Sequence, residues 1–134
     1  MKYLAVLLFL SLSFVSLAQE TPEIMHSAML QEGDLFSLGK VSVVFKEVIS
    51  DSRCPKQVTC IWAGEAKVLL EIYENGKFLE NRIVSSTAAN SVQQFTAAGM
   101  FYNISGIQLL PYPEVHSKKI KPEYTLGLSF SKKS

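Results

Sequence analysis

Between Cys60 and Ile72 the even positions read Cys60, Trp62, Gly64, Ala66, Val68, Leu70 and Ile72, while the odd positions include Glu65, Lys67 and Glu71. A period of two with charge on one side marks a half-buried strand. Continued to Glu74 it would be unusually long, so a bulge or bend is expected at Gly64. Asn75-Gly76 follows at once, and this pair suits a type I′ hairpin, whose two central residues both need positive φ. A two-residue turn sets Glu74 opposite Lys77, Ile72 opposite Leu79 and Val68 opposite Ile83. It also sets Asn81 opposite Leu70, and Glu71 opposite Glu80 as an unfavourable like-charge pair.

The same alternation recurs over Leu35 to Lys40, over Val41 to Ile49 with Val41, Val43 and Phe45 inward, and over Val92 to Thr96. It returns in Phe101 to Leu110 and in Tyr124 to Phe130, where Tyr124, Leu126, Leu128 and Phe130 share a face. Only Glu23 to Gln31 offers a short helical pattern. Many short strands without intervening helices predict an all-β fold, an antiparallel β-sandwich of about seven to eight strands, immunoglobulin-like or of a related Greek-key order. Ser85 to Ser91 and Pro111 to Pro122 read as loops, and residues 131–134 as a frayed tail.

The N-terminus has a different character. Met1-Lys2 is a short basic start, Tyr3 to Leu17 is apolar but broken by Ser11, Ser13 and Ser16, and Ser16-Leu17-Ala18 has the small residues of a cleavage site. Residues 1–18 therefore read as a secretory signal peptide with Gln19 first in the mature chain. The apolar run falls short of the ~20 residues needed to span a bilayer. No cysteine stands near the cleavage site to carry a lipid. The expected product is one domain, residues 19–134, with 19–33 as a flexible lead, in the periplasm or outside the cell. Without Lys2 the chain has 12 basic and 12 acidic residues. That balance argues against nucleic acid and against adsorption to anionic membranes, both of which need a basic excess.

Export decides how the two cysteines are read, since thiols in an oxidising compartment are normally paired. Cys54 and Cys60 are expected to form a short-range disulfide worth about 2 kcal/mol in the chain-entropy model. Their spacing is neither a C-x-x-C redox motif nor half of a zinc ribbon. The densest stretch is Asp51-Ser52-Arg53-Cys54-Pro55-Lys56-Gln57-Val58-Thr59-Cys60-Ile61-Trp62-Ala63-Gly64-Glu65-Ala66. Here the disulfide would staple the loop feeding the central strand, with Trp62 lying against Cys60 to seal the core. Asp51 would cap loop amides, and Arg53 would cross to a neighbouring carbonyl or carboxylate.

This run resembles a family of small, mostly uncharacterised exported bacterial proteins with a D-S-R-C-P-x-x-V-x-C-x-W-x-G-x-A segment between strands, some of which look like lipoproteins. A weaker resemblance continues through Val68 to Tyr73 and through Gly106 to Pro113. It implies a secreted or surface-located β-rich domain with a disulfide, and no particular activity.

Four functions are weighed on the residues. A hydrolase would have to draw on two histidines, His26 and His116, and two aspartates, Asp34 and Asp51, without a G-x-S-x-G, H-E-x-x-H or phosphate-loop motif. A metal site could use Met25, His26 and Met29 as soft and imidazole ligands. A protease inhibitor could present Arg53 or Lys56 from the stapled loop to a trypsin-like pocket. The favoured reading is a non-catalytic interaction or structural module, without cofactor or metal, that meets a protein or glycan through its loops. Arg53, Lys56 and His116 are its candidate binding residues, and Tyr73, Phe78, Tyr102 and Tyr112 a candidate sugar-binding set. Asn103-Ile104-Ser105 is taken as a chance glycosylation sequon.

Overall fold

The computed structural model of the chain describes residues 18, 23–86, 92–115 and 121–133. The expected signal peptide, apart from Ala18, and His116 lie outside them. Eight strands run β1 (Met25–Gln31), β2 (Leu35–Leu38), β3 (Val41–Asp51), β4 (Ala66–Glu74), β5 (Lys77–Ser86), β6 (Gln93–Ala97), β7 (Met100–Leu110) and β8 (Thr125–Lys133). They form two four-stranded antiparallel sheets, ordered β1-β8-β7-β6 and β2-β3-β4-β5. The all-β sandwich with one disulfide is as expected.

The second sheet is a plain meander. The first joins three hairpin-linked strands to β1, which arrives beside β8 across the whole of the other sheet. The chain changes sheet only between β1 and β2 and between β5 and β6, fewer times than in an immunoglobulin domain.

Alternation builds the core. Val41, Val43 and Phe45 of β3 and Val68, Leu70 and Ile72 of β4 are fully buried, facing Ile104, Leu109, Leu126 and Phe130 of the other sheet. Phe36 stacks on Phe130 across the interior, ring centroids 5.5 Å apart. Such burial of apolar side chains, about 1.5–3 kcal/mol each, is the main favourable contribution to the fold.

Four bulges adjust which residues point inward. In β3 the register shifts between Phe45 and Glu47 and again between Val48 and Ser50. The second shift turns Ser50 outward and sets Asp51 opposite buried Ala66. In β7 a shift between Ser105 and Gln108 carries the inward set from Tyr102 and Ile104 to Leu109.

The fourth bulge corrects the hairpin register. Asn75 and Gly76 take positive φ, 51° and 77°, and Glu74 faces Lys77 as expected. Tyr73 then faces Phe78, but Leu79 is left without an opposite residue and Ile72 pairs with Glu80, Leu70 with Arg82 and Val68 with Val84. Glu71 consequently faces Asn81 instead of Glu80 and accepts a hydrogen bond from the Tyr73 hydroxyl at 2.7 Å. The like-charge clash is relieved, and Leu79 and Ile83 turn out of the core.

Other expectations are corrected at the chain ends. The segment read as a short helix and flexible lead is β1, which pairs residue by residue with β8 from Met25↔Ser131 to Gln31↔Thr125 and buries Leu30. Lys132 and Lys133 belong to β8, opposite Tyr102 and Phe101, so the tail is not frayed there. Strand β4 begins only at Ala66, because the chain from Cys60 to Glu65 is drawn aside into a loop.

Candidate functional site

At one end of the sandwich, β3 leads into β4 through residues 52–65. The neck of this loop is closed by main chain: Ser52 N–H donates to the Glu65 carbonyl at 2.8 Å, and Cys54 N–H to the Ala63 carbonyl at 3.4 Å. The Ser52 hydroxyl also donates to the Glu65 carbonyl at 2.9 Å and accepts from Glu65 N–H at 3.1 Å. Gly64 makes this closeness possible. Its φ is +67°, and a Cβ placed on it would stand 2.0 Å from the Ser52 carbonyl oxygen. The bend expected at Gly64 is therefore a tight neck, where any side chain would collide with backbone.

Beyond the neck the loop is held twice. Cys54 and Cys60 form the disulfide, with Cα atoms 5.9 Å apart, and Val58 N–H donates to the Pro55 carbonyl at 3.3 Å. Arg53 reaches back into the sandwich. Only 7% exposed, it donates Nε–H to Asp51 Oδ1 and Nη2–H to Asp51 Oδ2, both at 2.8 Å. Nη1 donates to the Leu109 carbonyl at 2.5 Å, and Nη2 also to the Pro111 carbonyl at 2.9 Å. Tyr112 lies over the guanidinium, its ring centre 4.4 Å from Cζ, within cation–π range. Tyr124 donates its hydroxyl to Asp51 Oδ2 at 3.1 Å. Arg53 thus ties the loop of one sheet to the end of β7 in the other.

Burial disfavours a charged Asp51, but the hydrogen bonds and charge of Arg53, with help from Tyr124, outweigh it and hold the carboxyl below its usual range. Burial likewise opposes the Arg53 charge, and Asp51 more than compensates, so Arg53 stays protonated. Burial first, and then Asp51, push the Tyr124 hydroxyl up. Asp51 is held ionised and the Ser52 hydroxyl is spent on main chain. The cluster is built to hold a shape.

These contacts sort the expected residues. Asp51, Ser52, Arg53, Gly64, Cys54 and Cys60 converge on the loop base, with Pro55 starting the turn above it. Arg53 crosses to a carboxylate and to carbonyls as expected, and for that reason it is withdrawn from the surface: as a basic side chain for a protease pocket it is unreachable. Lys56 is exposed, with Nζ 5.0 Å from the Tyr112 ring centre. Trp62 corrects the expectation most. Instead of sealing the core it is 69% exposed, beside Ile61 at 97%. The neck at Gly64 takes Cys60 to Glu65 out of the strand, so the two-residue alternation that would place Trp62 inward no longer holds.

The remaining candidates are scattered. Alternation along β1 puts Met25 and Met29 on one face, about 13 Å apart at strand rise, and His26 on the other. Among the described residues no cluster of three His, Cys, Asp or Glu could hold a metal. Tyr102 is 2% exposed and stacks on Phe95, while Tyr73 and Phe78 meet edge to face on the outside of the second sheet, away from Tyr112. They do not make one sugar-binding face. No pattern in the sequence singles out Ile61 or the carbonyls of Leu109 and Pro111. The alternation gives Tyr124 only a place on a strand face.

Beside the loop, Gln57, Val58, Glu114 and Val115 line an open cleft of about 270 Å³. This is below the 300–1,000 Å³ usual for enclosed small-molecule sites. The disulfide suits an oxidising, non-cytoplasmic environment, and no helix among the described residues is long and apolar enough to cross a membrane. Comparison with protein-family models, with curated proteins and with solved structures finds no match for the chain.

Proposed function

We propose that the protein is an exported, non-catalytic binding module that grips a partner protein through the loop at residues 54–65. One observation carries the reading: Ile61 and Trp62 are turned to solvent on a loop fixed by a disulfide and by the buried Arg53 joint. Exposed apolar side chains cost solubility, and fixing them costs entropy. A loop already rigid loses little more on binding, and tryptophan is the residue that most often dominates a protein interface. Val58, Tyr112 and Val115 are exposed as well, Val58 and Val115 lining the open cleft beside the loop. An aliphatic Ile61 next to the indole fits an apolar protein surface better than a sugar, which would need polar partners around the ring.

The secretory character of residues 1–18 supports placement in a periplasm or outside the cell. The likeness of residues 51–66 to small exported bacterial proteins is consistent with the same placement. In this reading Asp51, Ser52, Arg53 and Gly64 are positioning residues, and the contact is made by Ile61 and Trp62 with Lys56 at the rim.

Envelope and medium fractions of the producing cell, passed over immobilised protein, should yield a partner that Trp62→Ser and Ile61→Ser lose and Lys46→Ala keeps. A partner retained with equal affinity by both loop variants, or a ligand that proves to be a glycan, would overturn the reading.

A further inference from the structure

We propose that β5 is a self-association edge, and that two copies of the chain pair β5 antiparallel about Asn81 to join their second sheets into one of eight strands. Strand β5 is the outer strand of its sheet and ten residues long, and no strand among the described residues pairs with its free side. Such an edge invites a further strand unless it is blocked. Proline is absent from β5, and its lysine, Lys77, stands at the extreme end beside the turn. The edge does carry a bulge at Leu79 and the inward charges Glu80 and Arg82, devices that turn away a foreign strand but that here match their own reversal.

The residues along this edge are complementary to their own reversal. Leu79-Glu80-Asn81-Arg82-Ile83 reads apolar, acid, amide, base, apolar. Antiparallel pairing about Asn81 sets Leu79 opposite Ile83 of the partner subunit and Glu80 opposite Arg82 of the partner subunit, and the two-fold axis repeats both contacts. Cross-strand apolar and opposite-charge pairs are the units that stabilise a sheet. The bulge in β5 fits this arrangement. The turn alone would have sent Leu79 and Ile83 inward, but the observed register exposes them at 40% and 52%. The same register brings Glu80 and Arg82 to the rim, where they bond to each other at 3.1 Å with about a third of each side chain in water and open to a second pair. With 12 basic and 12 acidic residues once Lys2 is gone, two exported copies repel each other little.

Sedimentation velocity on the exported, disulfide-bonded protein should find a dimer. Arg82→Glu, or Glu80→Arg, sets like charges face to face in both halves of the interface and should weaken it about tenfold or more. The double exchange Glu80→Arg with Arg82→Glu restores opposite signs and should restore the dimer. Asn81→Cys should oxidise to a covalent dimer, since two-fold-related residues of an antiparallel pair have Cα atoms within disulfide reach. A monomer at every concentration, a dimer indifferent to both single reversals, or a dimer in which Asn81→Cys fails to cross-link would each overturn the proposal. The loop reading above does not depend on the outcome.

Discussion

Arg53 and Asp51, two residues apart in the chain, meet as a planar pair, Nε on Oδ1 and Nη2 on Oδ2, each at 2.8 Å. A guanidinium suits this joint better than an ammonium because its fork can satisfy a carboxylate on one side while offering further N–H groups to carbonyls on the other. Removing one member of a buried pair strands the other and costs about 3–5 kcal/mol. Because this joint lies at the end of the sandwich, Arg53→Ala is expected at the lower end, about 3 kcal/mol. Arg53→Lys should recover little, since lysine cannot reproduce the four contacts. Urea denaturation of the three proteins tests both statements.

The carboxyl of Asp51 gives the fold an acid-sensitive component. Its folded pKa lies below the unfolded value, about 3.9 for aspartate. The stabilisation is therefore fully present well above that value and is lost as pH falls through the folded pKa. The stability difference between wild type and Asp51→Asn should be constant around neutrality and should shrink below about pH 4. A difference that stayed constant down to pH 2 would contradict the assigned ion pair.

Gly64→Ala should be among the most damaging single-methyl changes in the chain. The added Cβ would meet the Ser52 carbonyl at 2.0 Å in a left-handed backbone conformation, and the loss is expected to exceed about 3 kcal/mol, as for other severe strain. Gly39 has positive φ too, with open space around its missing Cβ. Gly39→Ala should therefore cost only about 1 kcal/mol for its backbone conformation. Thermal midpoints of the two variants give the comparison.

Trp62→Ala should separate stability from binding. The indole is mostly in water, so its removal should change unfolding free energy by no more than about 0.5 kcal/mol. Under the proposed function it should still abolish partner capture. A large loss of stability would mean that the indole covers the loop after all.

Reduction of the disulfide should loosen the loop without unfolding the sandwich. A bridge spanning so few residues contributes about 2 kcal/mol, and the neck made by Ser52 and Glu65 does not depend on it. Cys54→Ser with Cys60→Ser should keep the β-sheet circular dichroism while raising amide exchange at residues 55–63.

Strand content could be read from the chain because residues such as Val41, Val43 and Phe45 alternate with polar neighbours, and Asn75-Gly76 names its own turn. The bulges could not. A one-residue shift at Leu79 depends on the balance between burying Leu79 and Ile83 and relieving Glu71 of Glu80, and that balance is decided by the whole sheet. The short β1 was misread because its burial comes from β8, about a hundred residues away. At the site, the residue types of Asp51 and Arg53 suggested a cap and a crossing guanidinium. Trp62 was misplaced because extrapolating the β4 period through Gly64 ignored the turn of direction that glycine permits.

The four bonds that the Arg53 side chain makes divide by what they recognise: the two to the Asp51 carboxylate are chosen by chemistry, but Leu109 and Pro111 are gripped by their peptide oxygens alone. The socket at the end of β7 is thus indifferent to which side chains occupy it. The side chain at Leu109 answers to the core it fills and not to the latch, so a latch of this kind could be transplanted between sandwiches that share no residues on the receiving side.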